Sequence, residues 1–456
     1  MFTSINPATG ESFATHAALS EEQIEAKLAS AAAAYKQWRT TGYDERTALL
    51  ARIGDAFEAN KQELALMATR EMGKTLKSAL AEVEKCVAGF RLYADQGPGF
   101  LAPKTVGGTT AHWLPMGPVL AIMPWNFPYW QVVRFLAPTI MAGNVGLLKH
   151  ASLTQGCAAL IERMVVEAGT PDGVFQNLAI GSGAVASLID DPRVVAVTLT
   201  GSEGAGMKVG EAAGRALKKV VLELGGSDPF IVMPSADLDA AAKTAVVART
   251  QNAGQSCICA KRMIVHADVY DAFLERFSAG MQALKIGDPE EDGVEMGPLS
   301  SIEQRDEVLR QVAEAQAEGA TLALGAEKLN RPGAWMTAGV LTDVDPAGRF
   351  AKEEVFGPVA MVFRAADIDE AIALANDIPF GLGSTVFTAD EAEQARFVRE
   401  IEAGMTAVNT MLASTPASPF GGVKRSGHGR ELGAWGLHEF MNLKAEMRDP
   451  GLKTGD

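Results

Sequence analysis

Apolar residues recur at helical spacing through the first part of the chain, then give way to short apolar runs separated by helical stretches. Ser20-Glu21-Glu22-Gln23 has the form of a capping box, in which a hydroxyl and a side-chain amide satisfy each other's backbone N–H groups at a helix start. Ile24, Leu28, Ala31, Tyr35 and Trp38 follow on one helical face, and an Ala/Leu/Glu helical pattern continues to about Leu92. The Gly, Pro and Thr residues of 97–113 predict a loop or protruding hairpin. From Val119 to Gly226, apolar runs at 119–123, 145–148, 194–199 and 220–222 alternate with helical patterns that include 155–168 and 205–217. That alternation predicts βαβ units and a parallel sheet. A second α/β unit begins near Pro229-Phe230-Ile231-Val232, with helices at 238–253, 269–284 and 301–318. The segment 418–433 is glycine-rich, and 440–447 reads as a terminal strand.

The 456 residues allow two to three structural units, and 47% hydrophobic with 21% charged residues fits a large ordered core. A net charge of −15 argues against a nucleic-acid partner, which needs Lys/Arg stripes to neutralise phosphates. Four cysteines, Cys86, Cys157, Cys257 and Cys259, are too few for a disulfide scaffold in a chain this long, so a reducing, cytoplasmic setting is expected. No secretory pattern is visible at Met1-Phe2-Thr3-Ser4. The most apolar stretch, 119–148, is interrupted by Pro124, Asn126, Pro128, Arg134, Pro138 and Asn144, which predicts core elements and no membrane span. The six histidines are scattered and Cys257-x-Cys259 has no second pair, so no metal site is expected.

Candidate chemistry centres on Gln251-Asn252-Ala253-Gly254-Gln255-Ser256-Cys257-Ile258-Cys259. A cysteine among Gly, Gln and Ser at a helix end can be an exposed nucleophile, or it can be inert core filling. Glu223 closes an apolar run before Gly225-Gly226. Burial would raise its pKa towards that of a general base; the other reading is a strand-end carboxylate paired with Lys218 or Lys219. Asn126, between Trp125 and Phe127 and bracketed by Pro124 and Pro128, can donate to an oxyanion or can be an ordinary turn residue. Together the three supply the nucleophile, base and oxyanion donor that covalent oxidation of an aldehyde needs. The strand-then-turn at Gly201-Ser202, opening a helix, suits a pyrophosphate. Lys149 closes the run 145–148 and can meet ribose hydroxyls or a phosphate, or solvent. Gly181-Ser182-Gly183-Ala184-Val185-Ala186 also fits a G-x-G-x-x-A pattern but lacks a convincing downstream acidic residue, and is read as a loop.

These residues sit in seven ordered motifs that resemble the aldehyde dehydrogenase superfamily over essentially the whole chain. They are Pro124-Trp125-Asn126-Phe127-Pro128, Lys149, Thr200-Gly201-Ser202, Glu223-Leu224-Gly225-Gly226, Gly254-Gln255-Ser256-Cys257, Glu354-Val355-Phe356-Gly357-Pro358 and Pro419-Phe420-Gly421-Gly422-Val423-Lys424-x-Ser426-Gly427. The resemblance implies Cys257 as nucleophile, Glu223 as base, and Asn126 with the Cys257 amide as oxyanion hole. It places Trp125, Lys149, Gly201 and Ser202 near the cofactor, Glu354 at the nicotinamide ribose and Phe356 at the nicotinamide wall. The implied path is thiolate addition, hydride transfer to nicotinamide, and hydrolysis of a thioester by water that Glu223 activates. It also implies an α/β fold: a Rossmann-like cofactor domain (1–96 and 114–226), a catalytic α/β domain (227–418) and a small oligomerisation element (97–113 and 434–456), giving a homodimer or homotetramer.

Many NAD-preferring members carry Lys-Pro-x-Glu, where this chain has Lys149-His150-Ala151-Ser152. Ser152 removes a charge that would repel a 2′-phosphate, so NADP is expected as the preferred cofactor, with NAD accepted. Trp130, Arg134, Ser256 and Ser414 lie in segments similar to those of bacterial succinate-semialdehyde dehydrogenases, where the matching residues line the substrate pocket. Arg134, in a very apolar run, then binds a substrate carboxylate or an internal acid. Glutarate semialdehyde and other small aldehydes are alternative substrates. Cys259 is either structural or the partner of Cys257 in a redox-switch disulfide, as in some semialdehyde dehydrogenases. Two further classes stay open: a cysteine acyl hydrolase or esterase without redox chemistry, and a non-catalytic binding protein on the same scaffold.

Overall fold

The computed structural model describes residues 1–448; the part of the expected 434–456 element beyond that lies outside the described residues. A six-stranded sheet has the order Gly427–His428, Lys219–Glu223, Ala196–Thr200, Pro118–Met123, Val145–His150, Phe175–Asn177. Its last five strands are parallel, and Gly427–His428 pairs antiparallel with Lys219–Glu223. The chain reverses direction across the sheet between Pro118–Met123 and Ala196–Thr200. In open α/β sheets the crevice beyond the strand C-termini at such a switch point is where ligands bind.

A seven-stranded sheet has the order Thr321–Gly325, Gly339–Thr342, Val359–Ala365, Ala260–His266, Asp228–Val232, Gly383–Phe387, Met405–Val408, with only the Thr321–Gly325 edge antiparallel. Each large sheet carries its own buried apolar core, one including Leu120, Leu147 and Val197, the other Phe230, Ile264 and Val362. The near-continuous Val/Ile/Leu character of the central strands follows from burial on both faces.

The N-terminal helix Glu21–Trp38 starts in the expected capping box, with Ser20 accepting from the Gln23 N–H. The helix Leu76–Phe100 overruns the expected loop at 97, because tertiary packing overrides the local breakers. Gly97 lies so close to Met141 that a Cβ would collide with it, which gives that glycine a helical packing role. Pro98 falls in the last turn, where one lost N–H bond is cheap. The hairpin itself is Lys104–Val106 and Thr109–Pro115, joined by Gly107 (φ 57) and Gly108 (φ 80), the pair of positive φ angles that a two-residue hairpin turn requires. Met441–Met447 pairs with Thr109–Pro115 to complete a three-stranded sheet.

Candidate active site

Site residues come from two opposed edges. Pro124, Trp125 and Asn126 follow the strand Pro118–Met123, Gly201 and Ser202 follow Ala196–Thr200, and Leu224 and Gly225 follow Lys219–Glu223. From the other sheet, Cys257 precedes Ala260–His266 and Glu354 and Phe356 precede Val359–Ala365. The C-terminal edge of one sheet thus faces the N-terminal edge of the other. Between them lies a cavity of about 270 Å3, whose walls include Trp125, Asn126, Gln131, Thr200, Gly201, Ser202, Cys257, Gln304, Glu354 and Phe356.

The helix Leu238–Thr250 ends short of its expected limit, in a turn where Asn252 and Ala253 both have φ 54 and Gly254 has φ 75. Left-handed backbone is tolerated by Asn but unfavourable for Ala253, so the turn needs support. Asn252 Nδ2 donates to the Asn126 carbonyl at 2.8 Å and the Gln255 carbonyl at 3.1 Å, and Gln255 Nε2 donates back to the Asn252 carbonyl at 3.0 Å. Gly254 packs on the backbone of Gly357 and Pro358, leaving no room for a side chain. This turn delivers Cys257, the one partly exposed cysteine, to the cavity wall, while Cys259 is buried with its thiol 3.7 Å from the Gln251 carbonyl. Both thiols are free. Burial pushes the Cys257 thiol up to about 12, opposed by the positive charges of Arg134 and Lys261.

Asn126 is buried and oriented from both sides. Its Oδ1 accepts from Gln131 Nε2 at 2.9 Å and its Nδ2 donates to the Gln255 carbonyl at 3.0 Å. An amide nitrogen has two hydrogens, so one donor is left for the cavity.

Glu223 is 2% exposed, and neither carboxylate oxygen has a hydrogen-bond partner among the described residues. Burial, then the neighbouring Glu431, push its pKa well above the carboxylate range. The carboxylate rests beside Gly421, off the cavity wall. Lys218 and Lys219 hold other partners, Lys218 the Ile189 and Asp191 carbonyls and Lys219 the Glu439 carboxylate. Arg134, 3% exposed, lies 2.8 Å from Glu431, reaches Thr200 Oγ1 at 3.3 Å and stacks its guanidinium 4.4 Å from the Phe420 ring centre. The internal acid expected as one reading of Arg134 is therefore present. Sequence pattern does not mark Glu431; its only signal is that it is the one carboxylate in the glycine-rich, otherwise basic segment 418–433.

The helix Trp130–Ala142 is started by Glu82, whose carboxylate accepts the Tyr129 N–H at 2.8 Å and the Trp130 N–H at 2.9 Å while pairing with Lys74. That fixes Trp130, whose indole N–H donates to Ser414 Oγ at 2.8 Å. Ser256 is buried next to Cys257.

Ser202 caps the helix Glu203–Arg215, and the Gly201 N–H donates to the Glu223 carbonyl at 3.0 Å, which tightens the turn. Trp125 and Phe356 meet edge to face, 5.7 Å between ring centres. A second cavity, about 300 Å3, is lined by Ile122, Lys149, Ser182, Val185, Leu199, Ala205, Lys208 and Val209. This corrects the reading of 181–186 as a mere loop: Ser182–Ala184 is a short 3-10 turn, Val185–Asp190 a helix, and both face Lys149. Lys149 is buried, its pKa lowered by burial, and it makes no ion pair or hydrogen bond to the described side chains. Ser152 stands apart, exposed on the wall of a neighbouring groove with Trp125 and Gln304.

The profile of the aldehyde dehydrogenase family matches residues 1–445. A Mycobacterium tuberculosis protein named succinate-semialdehyde dehydrogenase [NADP(+)] 1 is 52% identical over 447 residues, 96% of this chain and 98% of its own. The Mycobacterium avium succinate-semialdehyde dehydrogenase [NADP(+)] is 51% identical over 448 residues, 96% and 95% of the two chains. Among solved structures, succinic semialdehyde dehydrogenase from Streptococcus pyogenes in complex with NADP+ superposes with a TM-score of 0.96 at 36% identity, covering 98% of this chain and 100% of that one. The Burkholderia pseudomallei succinate-semialdehyde dehydrogenase gives 0.94 at 35% identity, covering 98% and 94%.

Proposed function

The chain belongs to the aldehyde dehydrogenase family, and from that premise we propose that it oxidises succinate semialdehyde to succinate, with NADP the preferred acceptor and NAD accepted. The observation that carries the chemistry is the single cavity onto which Cys257, Asn126, Ser202, Glu354 and Phe356 all open. The substrate reading is supported by the named relatives together with a buried guanidinium, Arg134, whose positive charge acts on the Cys257 thiol.

The residues present fit a dinucleotide. Lys149 is a buried cation without a partner among the described residues, and the Gly201-Ser202 turn opens a helix whose first N–H groups favour an anion. Lys149 would hold the adenosine ribose or its phosphate, Gly201 and Ser202 the pyrophosphate, and Trp125, Glu354 and Phe356 the nicotinamide half. Ser152 presents no negative charge to a 2′-phosphate. When bound, the nicotinamide supplies the two-electron acceptor.

The chain's own groups do the rest. Cys257 must shed a proton that burial makes it hold, and Arg134 and Lys261 stabilise the thiolate once formed. Its sulfur adds to the aldehyde carbon. The remaining Asn126 Nδ2 hydrogen and the Cys257 N–H receive the oxyanion. After oxidation a thioester remains on Cys257. Glu223, whose oxygens are unpartnered, can turn from beside Gly421 without breaking a hydrogen bond, take a proton from water, and so release the acid. Trp130, Ser256 and Ser414 shape the tail pocket. On the same reading, 1–96 with 114–226 carry the cofactor, 227–418 the nucleophile, and 97–113 with 434–456 the subunit contacts.

The test is reduction of NADP by succinate semialdehyde in wild type and Cys257→Ala. Turnover that needs cofactor and disappears in a folded variant supports the dehydrogenase. Acyl-ester hydrolysis that persists without cofactor would favour a cysteine hydrolase instead.

A further inference from the structure

We propose that Lys261 is a positioning residue that aims the Cys257 amide at the oxyanion and ties it to Glu354 on the cofactor side of the cavity. The inference rests on the dehydrogenase reading above and adds a residue that none of the seven motifs contains.

Lys261 is 0% exposed, in a buried strand where it stands beside Arg262, whose guanidinium donates to the Ser227, Leu374 and Ala375 carbonyls. Its ammonium donates to the Ser256 carbonyl at 2.9 Å and the Cys257 carbonyl at 2.7 Å, and pairs with Glu354 Oε1 at 3.0 Å. The three donors of an ammonium are thus all used. The Ser256 carbonyl and the Cys257 N–H belong to one planar trans peptide and point in opposite directions. Holding that carbonyl inward therefore points the Cys257 N–H outward. The Cys259 N–H grips the same carbonyl at 3.1 Å, so the peptide is held at two points.

Glu354 is fixed by the same cation from the other side. Its Oε1 also accepts the Gly226 N–H at 3.3 Å, and its Oε2 occupies the space a side chain at Gly225 would need. One buried charge therefore sets the distance between the nucleophile's peptide and a carboxylate on the nicotinamide side of the cavity. Other charged groups acting on the thiol are Arg134, Asp228 and Glu354, and Lys261 offsets the last two.

The experiment compares wild type, Lys261→Met and Lys261→Arg by steady-state kinetics, by NADP binding followed through tryptophan fluorescence, and by the pH dependence of Cys257 alkylation. Cys257 is the one partly exposed thiol, so alkylation reports on it. Misaiming one oxyanion donor is expected to lower kcat by about 10- to 100-fold in the Met variant, with little change in aldehyde KM. NADP binding weakens, and the alkylation profile moves to higher pH because a stabilising charge is gone. Arg keeps the charge but not the three-point geometry, so its alkylation profile stays with wild type while kcat falls by about 10-fold. A folded Met variant with wild-type kcat and alkylation profile would overturn the proposal. If Met does not fold, wild-type kcat in Lys261→Arg overturns it and a lowered kcat with an unmoved profile supports it. A wild type that reduces no nicotinamide cofactor with any aldehyde would sink the dehydrogenase reading, and this role with it.

Discussion

The Trp130 indole N–H donates to the Ser414 hydroxyl at 2.8 Å, joining two residues 284 apart in sequence, both buried. The contact fixes the loop at 411–415 against the helix Trp130–Ala142, where the aldehyde's tail is proposed to sit. In Ser414→Ala the indole is left an unmet buried donor. A bond of this kind contributes about 0.5–1.5 kcal/mol, so the semialdehyde KM is expected to rise about 2- to 10-fold with kcat held. Steady-state titration checks it, and an unchanged KM would remove Ser414 from the pocket.

Glu223→Gln separates the two halves of the reaction. A carboxamide cannot take the proton from water, so the thioester on Cys257 persists. Rapid mixing is expected to give a burst of about one NADPH per active site, followed by turnover slowed by about 10²- to 10⁴-fold. In wild type, burial raises the Glu223 pKa, so steady-state rate climbs with pH as the carboxylate forms. Full turnover in the variant would assign the base elsewhere.

Asp228 makes stability depend on pH. It is buried, with Oδ1 accepting the Gly383 N–H at 3.1 Å and Oδ2 unpartnered among the described residues, and burial raises its pKa to about 7. Unfolded, it titrates near ~3.9. The folded state therefore holds the proton more tightly, and its contribution is greatest below ~4 and lost as pH rises to about 7. Melting temperatures of wild type and Asp228→Asn across pH 4–8 are expected to diverge, wild type losing stability relative to the variant as pH increases. A difference flat across that range would contradict the assignment.

Ser152→Glu restores the carboxylate that many NAD-preferring relatives carry. Placing it three residues beyond Lys149 is expected to lower kcat/KM for NADP by about 10- to 100-fold while sparing NAD, because one like-charge contact outweighs a lost hydroxyl. Paired titrations with the two cofactors measure it. Equal losses for both would mean that Ser152 does not meet the 2′-phosphate.

Local rules carried much of the fold. The capping box at Ser20, the parallel strands from Pro118 to Glu223 and the helix starts at Leu238, Tyr270 and Ile302 all follow from short-range pattern. What escaped depends on long-range packing. The helix runs through Pro98 because Gly97 fits against Met141. The 181–186 segment faces Lys149 because of how the helix Val185–Asp190 lies over the sheet. Cys257, Asn126 and Ser202 were legible because their neighbours are unusual. Glu431 and Lys261 were not, since each stands next to an arginine, Arg430 or Arg262, and local sequence does not show which charge turns towards the cavity.

The claim that a carboxylate-bearing aldehyde is the substrate is tested most directly at Arg134. NADPH formation should be measured with succinate semialdehyde, glutarate semialdehyde and an uncharged aldehyde of matched length, in wild type and Arg134→Ala. Length discrimination of one methylene is worth only about 1–3 kcal/mol, so the two semialdehydes should overlap. The expected result is a strong wild-type preference for both that collapses in the variant, with turnover of the uncharged aldehyde retained. Equal wild-type rates on the uncharged aldehyde, or selectivity unchanged in the variant, would leave Arg134 as the partner of Glu431 alone and contradict the substrate assignment.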